Sequence, residues 1–138
     1  MAVDTSVAVP LLVASHKAHG EVSAWADGKR LSLSGHALIE TYAVLTRLPG
    51  DARVAPPDAV TLIDVNFAEP LSLPALELTK VNRELARLGV AGGAAYDGLV
   101  ALTARAHGVR LATRDARARS TYAAVGVEVE VVDNYTSR

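Results

Sequence analysis

Cysteine is absent from this chain of 138 residues, which excludes disulfides and thiolate zinc sites and leaves the redox compartment unrecorded. No apolar run approaches the roughly 18 residues that a membrane-spanning helix needs. A basic excess is missing as well: 14 Lys and Arg stand against 15 Asp and Glu, for a net charge of -1, so the overall field gives no reason to expect tight nucleic-acid binding. There is no Gly-x-Ser-x-Gly, no Walker loop and no Gly-x-Gly-x-x-Gly, and acyl transfer, ATP hydrolysis and Rossmann dinucleotide binding lose support accordingly. His16 and His19 lie three apart while His36 and His107 are scattered, which matches no zinc pattern and reads as surface or packing histidines.

Half of the residues are hydrophobic and 21% are charged, the balance of an ordered globular chain. With no linker or repeat in sight, residues 1–138 are expected to form one domain, long enough for an ordinary core. The segment 1–13 is apolar but carries Asp4 and Pro10 and lacks a basic flank, so it reads as a first strand and helix rather than a signal peptide. The cytoplasm is the default location.

Local patterning gives an alternating order of elements. Ala2-Val3 leads into Asp4, and Thr5-Ser6 offers hydroxyl caps for a helix over 7–15. Val22, Trp25 and Ala26 share a helical face that Asp27-Gly28 closes, and Leu31-Ser32-Leu33 fits a strand. Leu38, Tyr42, Leu45 and Leu48 make a helical stripe ended by Pro49-Gly50, with Glu40 on the neighbouring face. A helix opens at Pro56, Leu71-Ser72-Leu73 reads as a strand, and a further helix runs from Pro74 to the stop at Gly89. After Gly92-Gly93, residues 94–106 are apolar on nearly every side and predict a buried helix with Asp97 in its first turn. A strand over 109–113 meets Asp115, a short helix follows to Ala124, and Val127 to Val131 alternates with Glu128 and Glu130 as an edge strand whose acids point to solvent. This order predicts an α/β sandwich with a mostly parallel sheet, in which ligands bind beyond the carboxyl ends of the strands.

Four carboxylates stand out because each adjoins apolar sequence, where an unpaired charge is costly: Asp4, Glu40, Asp97 and Asp115. Each has an ordinary explanation. Asp4 can be an ordinary turn residue bonding nearby backbone amides, Asp115 can cap the helix that follows it, Asp97 can serve the helix dipole and so stay ionised, and Glu40 can sit on a solvated rim. Arg114 and Arg117 can neutralise Asp115 by salt bridge. Recurrence at compatible places on an α/β rim favours a shared site, of the oxygen-rich kind that holds a hard divalent cation for chemistry on a phosphate. Arg105, Arg110, Arg114, Arg117 and Arg119 crowd one stretch, either to contact phosphates or as a solvated face.

The chain resembles the PIN-domain family and, within it, the VapC toxins of bacterial toxin–antitoxin systems. The resemblance is carried, almost end to end, by residues 2–6 (Ala-Val-Asp-Thr-Ser), 40–49 (Glu-Thr-Tyr-Ala-Val-Leu-Thr-Arg-Leu-Pro), 96–101 (Tyr-Asp-Gly-Leu-Val-Ala) and 111–115 (Leu-Ala-Thr-Arg-Asp). It implies a three-layer α/β/α sandwich and an endoribonuclease in which Asp4, Glu40, Asp97 and Asp115 hold Mg²⁺ or Mn²⁺, with Ser6 and Thr113 as hydrogen-bonding supports. It also implies an RNA substrate, a VapB-like antitoxin and a homodimer. Arg117 departs from the pattern, since relatives can carry a further acid there.

Two rivals remain at this point. A receiver-type phosphoacceptor would need an acid pair after the first strand and a late lysine, and this chain has only Asp4 and a late run of arginines. A non-catalytic PIN-like module that grips RNA or protein would leave the acids without a task.

Overall fold

Strand β1 (Ala2–Val3) pairs in parallel with β2 (Ser32–Leu33) on one side and β3 (Leu111–Thr113) on the other, and β4 (Val129–Val131) extends the sheet to the order β2-β1-β3-β4. This arrangement comes from a computed structural model that describes residues 1–133, so the last five residues of the expected 1–138 domain lie outside the description. Every strand pairing is parallel, and β1 and β3 are wholly buried, as a sheet covered on both faces requires. The expected α/β/α sandwich is present, with β4 at the edge.

Among the described residues, eight α-helices fill the crossovers: α1 (Thr5–Leu12), α2 (His19–Ala26), α3 (Ala37–Thr46), α4 (Pro56–Asn66), α5 (Ala75–Leu78), α6 (Val81–Arg87), α7 (Ala94–Ala106) and α8 (Arg119–Val125). Helix α1 packs on α2 and α3, while α7 packs on α6 and α8. Leu33, Leu45, Leu111 and Val7 are fully buried, and each such side chain contributes about 1.5–3 kcal/mol by leaving water. Helix α7 buries Gly98 and then Val100 through Ala104, as its all-round apolar sequence predicts.

Four local expectations change. Helix α1 starts at Thr5 because Asp4, not a hydroxyl, is its cap: the Ser6 amide donates to the Asp4 carboxylate. Leu71 makes one parallel bridge to Ser34 rather than a strand, for Pro70 and Pro74 flank the segment and cannot donate to a ladder. The helix predicted from Pro74 to Gly89 breaks into α5 and α6, and at the break the Thr79 hydroxyl donates to the Leu76 carbonyl. Glu130 does not face open solvent. It accepts from the buried Trp25 indole at 2.7 Å and from Arg110 at 3.0 Å, because an indole N–H taken out of water needs an acceptor.

The register fixes where chemistry can gather. Val3 lies opposite both Leu33 and Ala112, so Asp4, Ser34 and Thr113 leave their strands at one common rim.

Candidate active site

Asp4 is 6% exposed, and its carboxylate accepts four hydrogen bonds. Oδ1 takes the Ser6 amide at 3.0 Å and the Ser6 hydroxyl at 2.5 Å; Oδ2 takes the Thr113 hydroxyl at 2.5 Å and the Tyr122 phenol at 2.7 Å. With both hydroxyl protons committed to Asp4, Ser6 Oγ accepts from the Arg114 amide at 2.7 Å and Thr113 Oγ1 accepts from the Asp115 amide at 3.0 Å. One small network thus ties the end of β1 to the end of β3. Burial, followed by the Asp4 charge, raises the Tyr122 phenol far above its ordinary range, so the phenol remains a donor.

Asp115 follows β3 and is half-buried, with Oδ1 accepting from the Arg117 amide at 2.9 Å. The neighbouring guanidinium groups do not neutralise it. Arg114 Nε donates to the Val132 carbonyl at 3.0 Å, and Asp115 forms no salt bridge among the described residues. The alternative of an ion pair with Arg114 is therefore not realised, since Val132, just after β4, supplies Arg114 with a carbonyl.

Glu40 and Asp97 arrive from the first turns of α3 and α7. The turn that leads into α3 lies against α7 because it carries Gly35 at φ +55°, where a Cβ would stand 2.8 Å from Thr103 Oγ1 and 3.1 Å from the Leu99 carbonyl. The buried Ser34 hydroxyl adds a bond to the Val100 carbonyl at 2.9 Å. Neither Glu40 nor Asp97 accepts a side-chain hydrogen bond among the described residues.

All four singled-out carboxylates line one cavity of about 30 Å³, together with Thr5, Ser6 and Val100. Burial is the largest cause raising the Asp97 pKa; the carboxylates of Asp115, Asp4 and Glu40 add to it, and His36 opposes it. The direction runs against the helix-dipole expectation, because a stabilisation of about 0.3–1 kcal/mol at a helix start is outweighed by desolvation and three like charges.

The donor set fits a divalent cation. It consists of oxygens alone, the volume suits about one water-sized occupant, and among the described residues no basic side chain lines the cavity and Thr5 Oγ1 is buried there without a hydrogen-bond partner. Among the described residues, no three His, Asp or Glu side chains already stand close enough to grip an ion. Asp4 has its lone pairs filled by donors, so Glu40, Asp97 and the second oxygen of Asp115 are the groups free to turn toward one.

A larger cleft of about 630 Å³ lies between α5, α6 and α7. Of its two acids, Glu77 and Glu84, the latter is already paired with Arg87 at 2.5 Å and Arg105 at 3.3 Å, which draws its pKa down to about 2. Size favours that cleft; unsatisfied convergent charge favours the small cavity, and charge decides where chemistry occurs.

Tyr122 and Thr5 are the residues that sequence reasoning missed. The available signal for Tyr122 was its apolar setting in the last helix, since a buried phenol requires an acceptor. Nothing local singles out Thr5.

Comparison with known proteins agrees with this geometry. The chain is 54% identical over 131 residues to ribonuclease VapC27 of Mycobacterium tuberculosis, covering 95% of this chain and 96% of that protein. It is 43% identical over 133 residues to ribonuclease VapC40 of the same organism, covering 96% and 98%. The fold is similar to that in the crystal structure of VapBC2 from Rickettsia felis bound to a DNA fragment from their promoter, with a TM-score of 0.62, 15% identity and coverage of 96% and 98%. A match to the PIN domain family model spans residues 1–124, and with it the chain belongs to the PIN-domain family.

Proposed function

We propose that this chain is the toxin of a VapBC-type toxin–antitoxin system, an endoribonuclease that cleaves RNA phosphodiesters with Mg²⁺ or Mn²⁺. The observation that carries the reading is the convergence of Asp4, Glu40, Asp97 and Asp115, from four separate parts of the fold, on one cavity that no basic side chain of the described residues lines. Two relatives that cover nearly the whole chain bear the name ribonuclease, which supports the same reading.

Asp4 is the fixed member of the group, held by Ser6, Thr113 and Tyr122. Glu40, Asp97 and Asp115 would hold the ion with their uncommitted oxygens. When bound, a divalent cation supplies the positive charge that activates water and offsets charge on the phosphate. Arg117 and Arg119 are exposed beside Asp115 and have no salt bridge among the described residues, so they suit docking of the RNA backbone. Val100 closes one wall of the cavity with apolar surface.

A VapB-like antitoxin is the expected partner, covering the site, and the toxin is expected to form a homodimer. Ile39, Val60 and Val65 are exposed on α3 and α4, which supports contact with protein on that side. No helix among the described residues is long and apolar enough to cross a membrane. The cytoplasm is the expected location, in keeping with action on cellular RNA.

Incubation of the purified protein with total bacterial RNA tests the proposal. Cleavage should require Mg²⁺ or Mn²⁺, cease with chelator, and be lost in Asp97→Asn and Asp115→Asn variants that remain folded by circular dichroism. Full cleavage by both variants would remove the carboxylates from the mechanism and sink the proposal.

A further inference from the structure

Tyr96 is 59% exposed, while Trp25, Phe67 and Tyr122 are buried and Tyr42 is half-buried. It is the exposed aromatic ring of the described chain, and its hydroxyl has no hydrogen-bond partner there. Yet the ring is not loose: it packs on His36 with centroids 4.7 Å apart and planes tilted by 32°. His36 immediately precedes α3, one turn before Glu40, and Tyr96 immediately precedes Asp97 in α7. The pair therefore joins the starts of the two helices whose acids line the cavity, and His36 is close enough to act on the Asp97 charge.

Resting on the nuclease reading, we propose that Tyr96, braced by His36, is a stacking platform for an unpaired RNA base next to the phosphate that is cut. The chemistry favours such a contact. A wall of carboxylates repels the backbone of the substrate, so affinity on this side of the cavity has to come from an uncharged part of the nucleotide. Every base offers a flat π face, and an aromatic ring binds it without regard to sequence. In a continuous duplex both faces of a base are already covered, so the platform selects a loop, bulge or single strand. The arginines beside Asp115 would then receive backbone phosphates while Tyr96 receives a base across the cavity.

The test uses the full chain and total bacterial RNA with Mn²⁺. The cleavage site is mapped and copied into a short RNA, and each nucleotide flanking the cut is replaced in turn by an abasic one. Tyr96→Ala should lower kcat/KM by about ten-fold, within the range for one base on one ring, and Tyr96→Phe should retain it. One abasic position should impair the wild type but not Tyr96→Ala, because base and ring act as a pair. If Tyr96→Ala cleaves as well as wild type, or if every abasic substitution costs both proteins equally, the platform is refuted while the nuclease stands, and the ring is left to a protein partner. If the wild type cuts nothing, the nuclease reading falls and the platform with it.

Discussion

Asp97 and Tyr122 show how single groups at this site work against or for stability. Asp97 has a folded pKa above its ordinary value of 3.8, so its favourable contribution is complete only below that value and is lost as pH rises through the folded pKa. At neutral pH the ion-free protein therefore holds a carboxylate it would be more stable without. Asp97→Asn should raise the melting temperature at pH 7 and lose that advantage as the pH approaches 3; a variant less stable than wild type at pH 7 would contradict the charge crowding. Tyr122 acts in the other sense. Tyr122→Phe keeps the buried ring but removes a donor to the Asp4 carboxylate, and a hydrogen bond to a charged group contributes about 1.5–3 kcal/mol. Urea denaturation should show a loss of that order, and an unchanged midpoint would mean that water replaces the phenol.

At the scale of elements, the site depends on how closely the turn before α3 lies against α7. Gly35→Ala places a methyl 2.8 Å from Thr103 Oγ1 and 3.1 Å from a backbone carbonyl, at a φ of +55° that disfavours a side chain. The backbone carbonyl cannot swing aside as a side chain would, so the turn and α7 must separate. The expected cost is about 1–3 kcal/mol, with a larger loss in divalent-cation affinity than a surface substitution of equal stability produces. Melting curves with and without Mn²⁺ read both effects, and a variant with wild-type stability would show that the turn accommodates the methyl without moving from α7. Gly98 packs against Leu85 beside Asp97, but there the nearest atom is the end of a flexible leucine, so the constraint is softer.

For the whole molecule, the metal and the fold are coupled. Asp97 shares a 30 Å³ cavity with three further carboxylates whose charges crowd it, and a ligand that binds only the folded state adds stability that grows with the logarithm of its concentration above Kd. At a concentration about one hundred times its Kd, Mn²⁺ should add about 2.7 kcal/mol to wild type and less to Asp97→Asn. Sodium chloride at matched ionic strength controls for general screening. Equal shifts in the two proteins would place the ion elsewhere.

Much of this was legible in the sequence because hydrophobic period and turn chemistry are local. The run from Ala2 into Asp4, the stripe around Glu40, the all-apolar α7 with Asp97 near its start and the turn after Thr113 each declare themselves within about a dozen residues. Proline at positions 70 and 74 marked where the expected third strand would fail, though the pattern of Leu71 and Leu73 outweighed it. Tertiary structure alone decided what those pieces do to one another. It brought the Tyr122 phenol to Asp4 across 118 positions, gave Arg114 to the Val132 carbonyl rather than to Asp115, and turned Glu130 to the Trp25 indole. It also reversed the expected influence on Asp97. A helix dipole can be read from sequence position, but desolvation and the charges of Asp115, Asp4 and Glu40 depend on distances that exist only after the parallel strands have aligned at one rim.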